Sequence, residues 1–96
     1  MASAAPAAQP AALAGATLCA ELRLRFASPA HAAVGAAALA VDPELNPERV
    51  AKTITASGAH VVAAFQATDM RSMRLSMSAF LDCCGVVLRT LRDFAE

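Results

Sequence analysis

No proline follows Pro47, and from Asp69 to Phe94 the sequence reads as one unbroken helix with apolar residues over more of its circumference than one small sheet can cover. With Met70 set at zero and a step of 100° per residue, Met70, Met73, Met77, Phe80, Leu81, Cys84, Val87, Leu88, Leu91 and Phe94 fill an arc roughly 140° wide. That arc alone makes a core-facing stripe. Leu75, Ala79, Cys83 and Val86 form a second arc about 80° wide, interrupted by Ser72 and Thr90. The rest of the wheel holds Arg71, Arg74, Arg89, Arg92, Asp82 and Asp93. Two readings of the second arc stand side by side. Either a partner buries it, or an earlier helix of the same chain packs over it. The methionines suit an adaptable core.

Upstream, the pattern changes period. Leu18, Ala20, Leu22, Leu24 and Phe26 alternate with Cys19, Glu21, Arg23 and Arg25, which predicts a strand with one wet face. Ser28-Pro29 supplies an N-cap and a first-turn proline for a helix over Pro29–Ala40, which Asp42-Pro43 ends. That helix is rich in small residues, with Ala30, Val34, Ala37, Ala38 and Val41 near one face, so something can approach its backbone closely. A second strand is expected over Val50–Ala56, a tight turn at Ser57-Gly58, and a third strand over His60–Ala67. Thr68-Asp69 then caps the long helix. The order β-α-β-β-α predicts an α+β, two-layer fold, a three-stranded antiparallel sheet with two helices on one face.

Residues 1–16 are Ala/Pro-rich, uncharged and aperiodic, and are expected to form a disordered tail before a single domain over 17–96. A domain of that size buries only about 60% of its unfolded surface, so it gains from oligomerisation. With 57% of the residues hydrophobic, some apolar surface has no place inside a monomer.

Eight basic and eight acidic residues cancel, which leaves no global field toward nucleic acid or an anionic membrane. Three cysteines without a spaced framework fit free thiols in a reducing compartment. Neither a membrane-spanning run nor a basic leader is present, and the reading is a soluble, intracellular chain. His31 and His60 lie in different elements without ligand-spaced neighbours. Cys83 and Cys84 diverge by about 100° on a helix and cannot chelate one ion by themselves. Asp42, Glu44 and Glu48 cluster in one loop, a pattern that serves solubility. Nucleophile elbows, phosphate loops and dinucleotide fingerprints are absent from the sequence. No enzyme and no cofactor are expected. Part of the arginine face is an ordinary solvated surface with Arg89 and Asp93 spaced as an i,i+4 pair; Arg71, Arg74 and Arg92 lack a local acid at that spacing.

The run Asp69-Met70-Arg71-Ser72-Met73-Arg74-Leu75-Ser76-Met77-Ser78-Ala79-Phe80-Leu81-Asp82, continued by Val86 to Phe94, resembles the C-terminal helix of the small dimerising subunit of the KEOPS (EKC) complex, a family that includes the eukaryotic L-antigen proteins. Leu24-Arg25-Phe26 leading to Ser28-Pro29, and Lys52-Thr53-Ile54-Thr55-Ala56-Ser57-Gly58, are similar to that family's first strand with its helix start, and to its hairpin. The resemblance spans about Leu18 to Phe94. It implies a non-catalytic scaffold that supports threonylcarbamoyl-adenosine modification of tRNA, with the chemistry on a TsaD-like transferase subunit. Implied partners are that TsaD-like subunit, a second copy in a homodimer or another small KEOPS subunit, and tRNA indirectly, in cytoplasm and nucleus, with no membrane. A stand-alone α+β RNA-binding module and a transcription-associated interaction protein are the alternatives. Candidate partner-binding residues are Ala33, Ala37, Met73, Leu75, Met77, Ala79, Phe80, Cys83 and Val86; Arg71, Arg74, Arg89 and Arg92 are candidates for contact with tRNA or an acidic partner. The alanine-rich first helix and Ala79 depart from the family pattern.

Overall fold

In the computed structural model, which describes residues 13–41, 44 and 46–94, the elements run β1 (Leu18–Arg25), α1 (Pro29–Ala40), β2 (Val50–Ser57), β3 (His60–Ala67) and α2 (Met70–Phe94). The Met1–Ala12 part of the expected tail, the Asp42-Pro43 stop and the side chain of Phe94 lie outside the described residues. Leu13 to Ala16, also assigned to the tail, make a turn: the Ala16 N–H donates to the Leu13 carbonyl at 3.0 Å, and the Leu13 N–H to Gln66 Oε1 at 3.3 Å.

β2 and β3 form a hairpin around Gly58-Ala59, with Ser57 paired to His60. Gly58 has φ +60, which is why glycine follows Ser57 there. The sheet order is β1-β3-β2, both pairings antiparallel. β3 is therefore the central strand, although it comes last in sequence. Val61, Ala63, Phe65 and Ala67 point from it into one core with Ala32, Ala36 and Leu39 of α1 and Met73, Phe80 and Cys84 of α2. Both helices thus cover the same face, and the fold is the expected α+β sandwich. Phe65 and Phe80 meet edge to face, centroids 5.6 Å apart. On the opposite face, Val62 and Ala64 are also buried, flanked across the strands by Arg23 and Thr55, and by Glu21 and Thr53.

Both helix starts are capped as the sequence requires. Ser28 Oγ accepts from the His31 N–H at 3.1 Å, with Pro29 at the first position. Asp69 Oδ1 accepts from the Ser72 N–H at 2.8 Å, while Oδ2 takes the Ser72 hydroxyl, the Thr68 hydroxyl and Arg49 Nη1. The Ser72 amide, helped by those three donors, holds the Asp69 carboxyl at about 2 against the opposing effect of desolvation.

The buried face of α1, for which the sequence made no assignment, is now defined, and that of α2 is rotated from its expected phase. On α1 the buried residues are Ala32, Gly35, Ala36 and Leu39, so the Val34, Ala37, Ala38 and Val41 face is the exposed one. Gly35 is required here: a Cβ would stand 2.5 Å from Cε2 of Phe26, whose ring lies on the helix backbone. On α2 the buried arc reaches back to Ser72 and Ser76. Met70, Leu81 and Leu88, assigned to the core arc, are exposed. The polar serines are tolerated inside because each has an acceptor: Asp69 for Ser72 and Glu44 for Ser76.

Candidate partner-binding site

Rotation of the core arc leaves α2 with an apolar margin on each side. The first is the predicted second arc. Leu75 is 62% exposed and Val86 54%, and Ala79 is exposed with them; Cys83 is half-buried. α1 does not cover this margin, so the reading in which an earlier helix of the same chain packs over it does not hold. Between it and β2 runs an open groove of about 330 Å³ lined by Glu44, Asn46, Val50, Lys52, Ser72, Leu75, Ser76 and Ala79. Its floor is fixed by one cross-link, the Ser76 hydroxyl donating to Glu44 Oε1 at 2.8 Å. Glu44 therefore anchors the loop to α2 as well as adding solubility.

Ala33 and Ala37 on α1 are exposed, beside Val34 at 56%. With no side chain beyond Cβ, they let a facing helix come close to the α1 backbone. Two members of the candidate set fall out of it. Met73 and Phe80 are 4% and 3% exposed, packed under α2 against Phe65 and the rest of the core, so a docking partner meets neither. Met77 is half-buried at the rim.

The second margin is Met70, Leu81 and Leu88, with Met77 beside it. Since Leu75 and Ala79 look toward β2, this opposite margin looks toward β1. There the helix-side residues of β1, Leu18, Ala20, Leu22 and Leu24, are packed on the core yet only half-buried. Among the described residues β1 is an edge strand, with no strand beside its outer backbone groups. Apolar surface is thus open both on this margin of α2 and along the helix side of β1. The sequence signal for it was the very regular alternation of β1; what it lacked was the strand order, without which the edge cannot be known.

The arginines do not make one continuous stripe. Arg71 and Arg74 sit near the start of α2, Arg89 and Arg92 near its end about 27 Å away, and Asp82 lies between. All four are exposed. Arg92 Nε pairs with Asp93 at 3.6 Å in place of the expected Arg89–Asp93 pair. Arg71, Arg74 and Arg89 take part in none of the ion pairs among the described residues.

No group of three or more His, Cys, Asp or Glu among the described residues is arranged to hold a metal ion. Cys84 is buried, and burial together with the neighbouring Cys83 pushes its thiol to about 11, far from a reactive thiolate. No helix among the described residues is long and apolar enough to cross a membrane.

The family model described as Transcription factor Pcc1 matches residues 19–92. The human EKC/KEOPS complex subunit LAGE3 is 36% identical over 73 residues, which covers 76% of this chain and 51% of that protein, so the chain spans about half the length of that relative. Among solved structures, the crystal structure of a binary complex Gon7-Pcc1 superposes with a TM-score of 0.76 at 19% identity, over 81% of this chain and 96% of that one, a likeness of fold. The match from Cys19 to Arg92 takes in every strand and both helices, and on that ground the chain belongs to the Pcc1 family.

Proposed function

We propose that this chain is a non-catalytic scaffold subunit of a KEOPS-type complex, supporting threonylcarbamoyl-adenosine modification of tRNA by a TsaD-like subunit in the cytoplasm and nucleus. The observation that carries the reading is the uncovered helical surface: Leu75, Ala79 and Val86 on α2, with Ala33, Ala37 and Val34 on α1, leave two helices without a cover on their outer side. Two helices that expose small and aliphatic residues accept two further helices by ridge-and-groove packing, and the catalytic subunit supplies them. The β1 edge and the Met70, Leu81 and Leu88 margin form a separate surface, which takes a second copy of this chain or another small subunit. Membership of the Pcc1 family, a relative named as an EKC/KEOPS complex subunit, and a neighbour of the same fold solved together with Gon7 support the assignment.

A stand-alone RNA-binding module ranks behind it. The four α2 arginines form two separated pairs rather than a track a phosphate backbone could follow, and acidic partner surfaces suit them better. Co-expression of the full chain with a TsaD-like subunit, followed by affinity capture and gel filtration, tests the reading. A stoichiometric complex is expected. A chain that is folded by circular dichroism yet leaves the subunit uncaptured overturns it.

A further inference from the structure

Lys52 is the sole lysine of the chain, and it sits in the middle of β2 opposite Phe65, hence on the helix side of the sheet, half-buried. Its neighbours on that side of the strand are Val50, which is buried, and Ile54, which is half-buried. A lysine on an aliphatic row keeps its stem against the row and its ammonium in water, or finds an anion. Among the described residues Lys52 takes part in no ion pair. Glu44 lines the same two grooves, the one of about 330 Å³ toward α2 and one of about 270 Å³ beside Ala40 and Ile54. Both of its carboxylate oxygens are engaged elsewhere: Oε1 accepts from the Ser76 hydroxyl at 2.8 Å, and Oε2 from the Asn46 N–H at 3.2 Å. The groove beside α2 therefore holds one cation that its own walls leave unpaired.

We infer that the helix docking on the Leu75 and Ala79 margin carries a carboxylate in its apolar face, and that this carboxylate pairs with Lys52 inside the groove. The inference rests on the docking reading above and adds the chemistry of the partner. Leu75 and Ala79 stand one turn apart on α2 and form the apolar wall of the groove that Lys52 lines. A helix laid along that wall closes the groove and takes water away from the ammonium. An ammonium covered without an anion is penalised by desolvation, so a wholly apolar helix is a poor occupant. A partner lysine or arginine is worse, since two cations would then share the groove. One Asp or Glu, with small or aliphatic residues a turn before and after it, satisfies both the ammonium and the apolar wall. A single charge pair beside an otherwise aliphatic contact also fixes register, because sliding by one turn separates the two charges.

Carbodiimide treatment of the complex with the TsaD-like subunit tests this. The reagent joins an amine to a touching carboxylate as an amide, with loss of water and no spacer. Lys52 offers the sole side-chain amine of this chain, so mass spectrometry of the linked peptides places the bond without ambiguity. The expected link joins Lys52 to an Asp or Glu in a helix of the subunit. Capture is measured beside it, with variants that keep the stem of the side chain. Lys52→Met is expected to raise the Kd for the subunit at least about 10-fold, and Lys52→Arg to stay within about 3-fold of the parent. Glu44→Gln, which keeps an acceptor for Ser76, is expected to bind as the parent does. Unchanged capture of Lys52→Met, with its urea unfolding midpoint equal to that of the parent, overturns the inference and leaves the docking reading standing. A Lys52 link to Glu44 together with weakened capture of Glu44→Gln also overturns it, since the chain would then supply its own anion. A parent chain that the subunit does not bind overturns the docking reading and this inference with it.

Discussion

Asp69 shows how much one side chain can hold. It caps α2, ties the hydroxyls of Ser72 and Thr68, and meets Arg49 from the start of β2. Its carboxyl is held at about 2, below its unfolded value near 3.8, so the stabilisation is present above about pH 4 and lost as pH falls through 2. Asp69→Asn keeps an acceptor for the Ser72 amide and removes the charge. Its acid unfolding should therefore be flatter than that of the parent between pH 4 and 2, as read by circular dichroism. Gly35 is a case of opposed effects. Alanine gains about 1 kcal/mol of helix propensity, but its Cβ would lie 2.5 Å from the Phe26 ring. An open groove lies beside the ring at Leu88 and Leu91, and yielding toward it uncovers the ring. A net loss of about 1–3 kcal/mol is expected for Gly35→Ala, measured by urea unfolding.

The elements themselves were legible, because two periods alternate along the chain and the caps mark both helix starts. Period two identified β1, the Ser57-Gly58 turn between two β-prone runs placed β2 and β3, and Ser28-Pro29 and Thr68-Asp69 placed α1 and α2. The phases of the helices were less legible. α1 is so rich in alanine that a wheel has no contrast, and its inner face is set by Gly35 yielding to Phe26, a contact between distant residues. On α2 the wheel counted apolar residues only, so it missed Ser72 and Ser76 inside and put Leu81 and Leu88 there instead. Both serines depend on acceptors, Asp69 and Glu44, that spacing along α2 does not reveal. The second arc could be seen, but whether α1 covered it could not. Because Ala79 and Val86 are exposed, Ala79→Glu and Val86→Asp should abolish capture of the TsaD-like subunit with far-ultraviolet circular dichroism unchanged. A collapsed spectrum would mean that this margin is needed by the fold itself.

At the scale of the molecule, strand order decided what sequence could not. With β3 in the middle, both of its faces are buried and β1 is left at an edge, its helix-side residues half-buried. The two uncovered surfaces lie on opposite margins of α2, so a second copy on one leaves the other free for helices of a different protein. That arrangement suits a scaffold that must hold two kinds of neighbour together.

The same strand order also imposes a schedule. β2 and β3 are joined by a two-residue turn and can zip locally, whereas β1 must find β3 from as far as Leu18 to Ala67, 49 positions along the chain. Closing the longer loop carries the larger entropic cost, and it cannot be attempted until β3 has left the ribosome. The first strand to be synthesised is thus the last to be fixed. A neighbour docking at β1, as proposed above, would meet an edge that is completed last.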